Sequence, residues 1–158
     1  MLQFSKRIIP RGVRVTLVNT RFISKTIANS SSSASACSTT IHLATISDGF
    51  DDSGFAPASM DAYCSTFQRV GSRTLTQLVA DLRETEYPAT CIIYDHLIPW
   101  CLDVAKSFGL ITAAFFTQSC AVESIYYHVR EGLLHLPVVE AQISIPGLPP
   151  LEARIRPL

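Results

Sequence analysis

Aspartate 95 ends the short apolar run Cys91-Ile92-Ile93-Tyr94. If that run is a strand of an open α/β sheet, the carboxylate stands outside its carboxyl end, where such sheets bind ligands. A carboxylate there can orient a histidine acting as general base and stabilise the imidazolium that forms. It can equally accept amide hydrogens at the start of the segment opened by Pro99. Position alone leaves both roles open. Thr117, Gln118 and Ser119 follow a second apolar run, Leu110 to Phe116, and precede a helical pattern. Small hydroxyls and amides at a helix start suit a phosphate or a sugar hydroxyl, and on spacing alone they serve better as an N-cap. Among the four histidines, His42 falls within a strand pattern, and His128 and His135 fall in or after the last helix, positions typical of core or surface imidazoles. His96 is next to Asp95, but neighbouring side chains on an extended chain point apart, so the pair is not expected to act together.

Other chemistry finds less support. The segment Asp48-Gly49-Phe50-Asp51-Asp52-Ser53-Gly54 is acidic and turn-rich, but it fails the spacing of a calcium loop and lacks the bidentate glutamate, so it reads as a surface or pocket-rim loop. Neither G-x-G-x-x-G nor G-x-x-x-x-G-K-[ST] occurs, which leaves ordinary dinucleotide and P-loop phosphate binding unsupported. The five cysteines, at 37, 64, 91, 101 and 120, form no C-x-x-C pair and read as reduced, buried thiols rather than a zinc or disulfide framework.

The elements that must position these residues alternate in type. An amphipathic helix over 1–9 ends near Pro10 and Gly12. Val13 to Val18 alternates as a strand and runs into an Asn-Thr helix start, with a helix over about 21–28. A serine-rich loop, Ser30 to Ser33 with Ser35 and Ser38, leads to a strand over about 40–46. After the Asp48 loop, Met60, Tyr63, Cys64, Phe67, Val70, Leu75, Leu78 and Leu82 recur at threes and fours along the longest helix, which Pro88 stops. Cys91 to Tyr94 and Leu110 to Phe116 read as strands buried on both faces of a parallel sheet. Between them a helix opened by Pro99 carries Trp100, Val104 and Phe108 on one face and closes at Gly109. Val122, Ile125, Tyr126, Val129 and Leu133 mark a last helix. Beyond Leu136 prolines 137, 146, 149, 150 and 157 end the periodicity.

The predicted fold is therefore α/β, a Rossmann-like parallel sheet with helices on both faces, over 1–136, followed by a Pro-rich, linker-like tail over 137–158. Helix 1–9 has no strand before it, although the first strand of a doubly wound sheet is usually central. On this reading the sheet lacks its first strand, between Val13–Val18 and Cys91–Tyr94, and the chain aggregates or stays partly molten alone. Composition agrees with one globular domain: 158 residues, 47% hydrophobic, 16% charged, thirteen basic against thirteen acidic side chains and a mean hydropathy of +0.26. Intrinsic disorder, a dedicated nucleic-acid binder and a membrane-spanning helix are disfavoured. Lys6, Arg7, Arg11, Arg14, Arg21 and Lys25 all precede the first acidic residue and, with the serines, imitate a mitochondrial transit peptide. Cleavage there would remove the first strand.

Five stretches, MLQFSKRIIPRGVRVTLVNTRFI, IHLATISDGFDDSGF, CIIYDHLIPWCLDVAKSFGL, AAFFTQSCAVESIYYHV and ISIPGLPPL, together resemble, in order and at similar intervals, the acceptor-binding half of the plant UDP-dependent glycosyltransferases. The match reaches about Leu151 and is most specific at the aspartate followed by P-W-x-x-D-V-A-K and at F-F-T-Q-S. The resemblance implies the N-terminal half of a GT-B fold, two Rossmann-like domains across a cleft, and inverting transfer of glucose from UDP-glucose to a hydroxyl or carboxyl of a small plant metabolite. It implies a phenolic or carboxylic-acid acceptor, UDP-sugar as donor substrate in the full-length enzyme, no separate cofactor or metal, no nucleic-acid or membrane partner, and a cytoplasmic location. Carried over residue by residue, Asp95 matches the aspartate that orients the catalytic histidine, and Thr117 matches a residue near the donor sugar. Phe50, Phe55, Phe116, Gln118 and Ser119 are expected to line the acceptor pocket. The histidine itself belongs just before the stretch that begins here at Met1. The tryptophan-rich motif of the nucleotide-sugar domain has no counterpart, Trp100 being the single tryptophan. Glu152 to Leu158 leaves the family pattern. The expectation is thus a fragment, inactive alone, with a noncatalytic small-molecule-binding α/β module as the alternative.

Overall fold

The computed structural model describes residues 1–30, 41–54, 59–139 and 142–152. The serine-rich loop beyond Ser30, Cys37 and Phe55 lie outside them. The chain divides into two compact units, Met1–Phe115 and Phe116–Leu158.

In the first unit α1 (Leu2–Ile8) is followed by a 3-10 turn (Ile9–Arg11), β1 (Val15–Thr20), α2 (Arg21–Ser30), β2 (Ile41–Ile46), α3 (Met60–Arg83), β3 (Cys91–Asp95), α4 (Cys101–Ser107) and β4 (Ile111–Phe115). Gly12 closes the turn at φ 82°, a left-handed conformation that glycine adopts without steric cost. β1 starts and ends two residues later than the alternation of Val13 to Val18 predicts. Thr20 ends it, and its Oγ1 accepts the Ile23 N–H at 3.4 Å, the cap that the Asn-Thr pair anticipates. Ser59 caps α3 by accepting the Ala62 N–H at 3.1 Å.

The strands form two parallel pairs. β1 pairs with β2 in the register Val15↔Ile41 to Thr20↔Ile46, and β3 pairs with β4 from Cys91↔Ile111 to Asp95↔Phe115. Each pair is joined through a helix, so β1-α2-β2 and β3-α4-β4 are the βαβ units expected from the alternation. Their burial differs from the expectation of strands covered on both faces: Cys91 is exposed, the rest of β3 is half-buried, and Ile111 on β4 is 73% exposed. Full burial takes a continuous sheet with helices over both faces, whereas each strand here is one of a pair.

One core serves this unit. Ile46, Leu75, Val79, Trp100, Cys101 and Val104 form its centre, with Val18, Phe67, Leu78, Ile92, Tyr94, Ile98, Phe108 and Leu110 packed against it. Along α3 the buried positions are Gly71, Leu75 and Val79. The predicted stripe thus holds at Leu75 and Leu78, misses Val79, and includes Met60 and Cys64, which are exposed where the helix starts. The cysteines correct the expectation of buried thiols: Cys101 is buried, but Cys64, Cys91 and Cys120 are exposed, all four free. Cys91 opens a strand and Cys120 a helix, end positions that the core does not reach.

In the second unit α5 (Cys120–Arg130) is capped by Ser119, whose side chain accepts the Val122 N–H. A two-residue antiparallel ladder, β5 (Gln142–Ile143) with β6 (Leu151–Glu152), lies within the Pro-rich segment. No described helix is long and apolar enough to cross a membrane.

Candidate functional site

Two loops of the first unit hold the polar chemistry, one after β2 and one after β3. At the end of β3 the Asp95 Oδ1 accepts the Leu97 N–H at 3.0 Å, and its carbonyl accepts the Ile98 N–H at 2.9 Å. The turn-stabilising role is therefore real. It leaves the carboxylate a third exposed. His96 differs from the expectation. Its N–H donates to the Phe115 carbonyl at 3.3 Å, one residue past the β3–β4 ladder, while its ring Nδ1 lies 3.4 Å from Asp95 Oδ1 with the side chain only 14% exposed. The chain turns at His96 and Leu97, so the extended alternation that would separate the two side chains no longer holds.

The loop after β2, expected as a surface or pocket-rim loop, exposes Asp52 and Ser53 but has a buried base. Ser47 and Asp48 are buried at its base. Ser47 N–H donates to Thr74 Oγ1 of α3 at 3.2 Å. Asp48 Oδ1 accepts the Phe50 N–H at 2.9 Å, and its Oδ2 accepts the Tyr63 hydroxyl at 3.2 Å. Burial, together with the charge and hydrogen bond of Asp48, raises the Tyr63 pKa above its ordinary 10.0. The Phe50 ring stacks on Tyr63 with centroids 5.5 Å apart, Tyr63 meets Phe67 at 5.8 Å, and Phe67 meets Trp100 edge-on at 5.2 Å. A file of four rings thus runs from the loop to the core.

The outer part of this loop is pinned to α2. Ser47 Oγ donates to Asp51 Oδ1 at 2.7 Å, Arg21 pairs with Asp51 at 3.0 Å, and Lys25 pairs with Asp52 at 2.7 Å. Burial pushes the Asp51 carboxyl up, but Ser47, Arg21 and Lys25 together outweigh it and hold the group below its ordinary 3.8. Gly54, at φ 64°, passes over the Phe22 ring, where a Cβ would stand 2.4 Å from Cζ. Among the described residues no three His, Cys, Asp or Glu side chains gather where they could hold a metal ion.

Of the residues singled out from sequence, Asp95 and Phe50 lie in the first unit, Asp95 as the last residue of β3 and Phe50 in the loop that follows β2, where it is half-buried. Phe116, Thr117, Gln118 and Ser119 lead into α5 in the second unit. Phe116 is 54% exposed, Thr117 is exposed, and Gln118 is half-buried, its Oε1 without a hydrogen-bond partner among the described residues. Ser119 takes the cap of the helix. Sequence reasoning missed Tyr63 and Thr74 as polar partners of the β2 loop. Tyr63 belongs to the predicted stripe of α3 and Thr74 falls in its one gap, between Val70 and Leu78, so a hydroxyl on that face was the available signal.

No family model matches the chain. UDP-glycosyltransferase 74F2 of Arabidopsis thaliana is 41% identical over 141 residues, which are 87% of this chain and 30% of that protein. The flavonol 7-O-beta-glucosyltransferase UGT74F1, also of Arabidopsis thaliana, is 43% identical over 139 residues, 86% of this chain and 30% of the relative. Among solved structures, Os79 from O. sativa in complex with UDP and deoxynivalenol-3-glucoside superposes with a TM-score of 0.75 at 38% identity, covering 87% of this chain and 31% of that one. The α/β fold with its parallel strand pairs agrees with this superposition, and the chain is homologous to the plant UDP-glycosyltransferases over about 30% of their length.

Proposed function

We propose that this stretch of chain binds the acceptor in a glucosyl transfer from UDP-glucose to a hydroxyl or carboxyl of a small phenolic or carboxylic plant metabolite, and that these 158 residues alone transfer no glucose. The observation that carries the reading is the position of Asp95 as the carboxyl-terminal residue of β3, in a chain homologous to glycosyltransferases. A partly exposed carboxylate there holds a histidine base in its charged form after it takes the acceptor proton. Phe50, fixed from below by Asp48 and Tyr63, supplies an aromatic wall for a flat ring. The resemblance to the family assigns Phe55, Phe116, Gln118 and Ser119 to the acceptor and Thr117 to the donor sugar. The location on this reading is cytoplasmic, in keeping with four free cysteines among the described residues.

A panel of phenols and aromatic acids titrated into the isotopically labelled chain tests the reading. Chemical-shift changes at Phe50 and Asp95 are expected for at least one flat phenol. A folded sample in which neither signal moves with any member refutes acceptor binding. Glucoside formation with UDP release by the purified chain refutes the statement about transfer.

A further inference from the structure

At the amino end of β1, the segment that leads into the strand gathers positive charge. Lys6, Arg7, Arg11 and Arg14 are all exposed, and among the described residues none of them forms an ion pair, whereas Arg21 and Lys25 further along are both paired. Lys6 and Arg7 lie in the last turn of α1, where cations answer the helix dipole. Arg14 has no such duty. Its Cζ lies 3.3 Å over the centre of the Tyr87 ring, a distance at which the planar guanidinium lies flat on the ring. Glu86, the neighbour of Tyr87, is exposed and forms no ion pair with Arg14. The stack holds the group in place and leaves its N–H edge to fork an oxyanion.

A cleft of about 210 Å³ opens beside this group, lined by Ile9, Gly12, Val13 and Arg14. Gly12 fixes the turn between the two apolar side chains, with its N–H donating to the Ile9 carbonyl at 3.0 Å. We propose that the cleft binds a small phosphate monoester. Arg14 forks the phosphate, Arg11 adds to the positive field, and Ile9 and Val13 take an apolar substituent. A dianion suits a cleft that has a cation and no acidic residue in its lining. The volume lies below that of pockets that enclose drug-sized ligands, so a single ring or a short chain fits and a whole nucleotide does not. The site is separate from the acceptor region, because Arg14 precedes β1 and Tyr87 precedes β3, whereas Phe50 follows β2 and Asp95 ends β3.

The test is a titration of the isotopically labelled full chain with phenyl phosphate at fixed ionic strength, read at the Gly12 and Val13 amides and at Arg14 Nε–H. Saturable shifts are expected at these three signals. Inorganic phosphate is expected to move the same signals with about tenfold weaker affinity, because it buries no apolar surface. Arg14→Gln is expected to weaken phenyl phosphate by about tenfold or more, as for the loss of a charged hydrogen-bonding group. Arg14→Lys, which keeps the charge but not the fork, is expected to weaken it as well. Shifts that grow without saturation across all four cations, or an unchanged affinity in Arg14→Gln, overturn the site. Shifts confined to Phe50 and Asp95 place the ester in the acceptor region and overturn it too. Vesicles of phosphatidylcholine containing phosphatidic acid form the last arm. Sedimentation of the chain with them, while phenyl phosphate leaves Gly12 and Val13 unmoved, assigns the cations to a lipid headgroup and refutes the small ester. The wild-type titration decides the question even if a variant misfolds.

Discussion

Gly71→Ala sets two effects of opposite sign against each other. Gly71 is buried in the middle of α3. In an exposed helix the substitution stabilises by about 1 kcal/mol, because alanine loses less backbone entropy on folding. Here an added Cβ would stand 2.8 Å from Trp100 Cη2, 2.8 Å from Phe67 Cδ2 and 2.9 Å from Phe67 Cε2. Neither ring can move alone, since the two pack edge-on at 5.2 Å and Trp100 is only 8% exposed. Overpacking of this kind costs about 1–3 kcal/mol, so the expected net effect is a loss of about 1 kcal/mol, or a fall of about 3 °C in Tm. Urea unfolding followed by far-ultraviolet circular dichroism measures it. In a Trp100→Phe background the ring edge that meets residue 71 is gone, and Gly71→Ala is expected to cost at least about 0.5 kcal/mol less, as for coupled neighbours. A Gly71→Ala protein stabilised by the full helical propensity, with no coupling to Trp100, refutes the close packing of α3 on the residue that opens α4.

Three further outcomes follow from the polar contacts. Tyr63→Phe keeps the ring stack but leaves Asp48 Oδ2 without the hydroxyl at 3.2 Å, and is expected to cost about 1–3 kcal/mol in urea unfolding. In the wild-type protein the raised Tyr63 pKa adds stability that is complete below the ordinary 10.0 and is lost as pH rises through the higher folded value, so Tyr63→Phe flattens the alkaline limb of the stability profile. Asp51 has the opposite sign: its lowered pKa gives stability that is present above 3.8 and is lost as pH falls through the folded value. Asp51→Asn is expected to flatten the acid limb by no more than about 1 kcal/mol, because Arg21 is half exposed and added salt screens the pair. Ser59→Ala removes the cap of α3 and is expected to cost about 1 kcal/mol, read as a shift in the urea midpoint with unchanged slope.

The fold was most legible where local chemistry and periodicity coincide. Pro99 and Gly109 bracket the α4 segment, with Gly109 at φ 68°, as the residue types anticipate, and Thr20 and Ser119 cap the helices that follow them. Burial was less legible, because a run such as Ile111 to Phe115 has one composition whether a second layer covers it or not. The candidate site divided in the same way. Asp95 could be singled out from its place after an apolar run. Its closeness to His96 could not, because that depends on the chain leaving the extended conformation at one particular residue. The burial of Asp48 was hidden for a related reason: the acidic loop is satisfied by hydroxyls on α3, fifteen and more residues away in sequence.

The cysteines give this chain an internal clock. Cys101 is buried at the start of α4, and burial pushes its thiol up to about 12, whereas Cys64, Cys91 and Cys120 face solvent. Alkylation requires the thiolate. A maleimide or iodoacetamide pulse therefore tags the three exposed sulfurs on contact and reaches Cys101 only during excursions that lift α4 from Val79 and Leu75. The lag of the Cys101 peptide behind those of Cys64, Cys91 and Cys120 in a peptide mass map is then a stopwatch for breathing of the core, read without any introduced label.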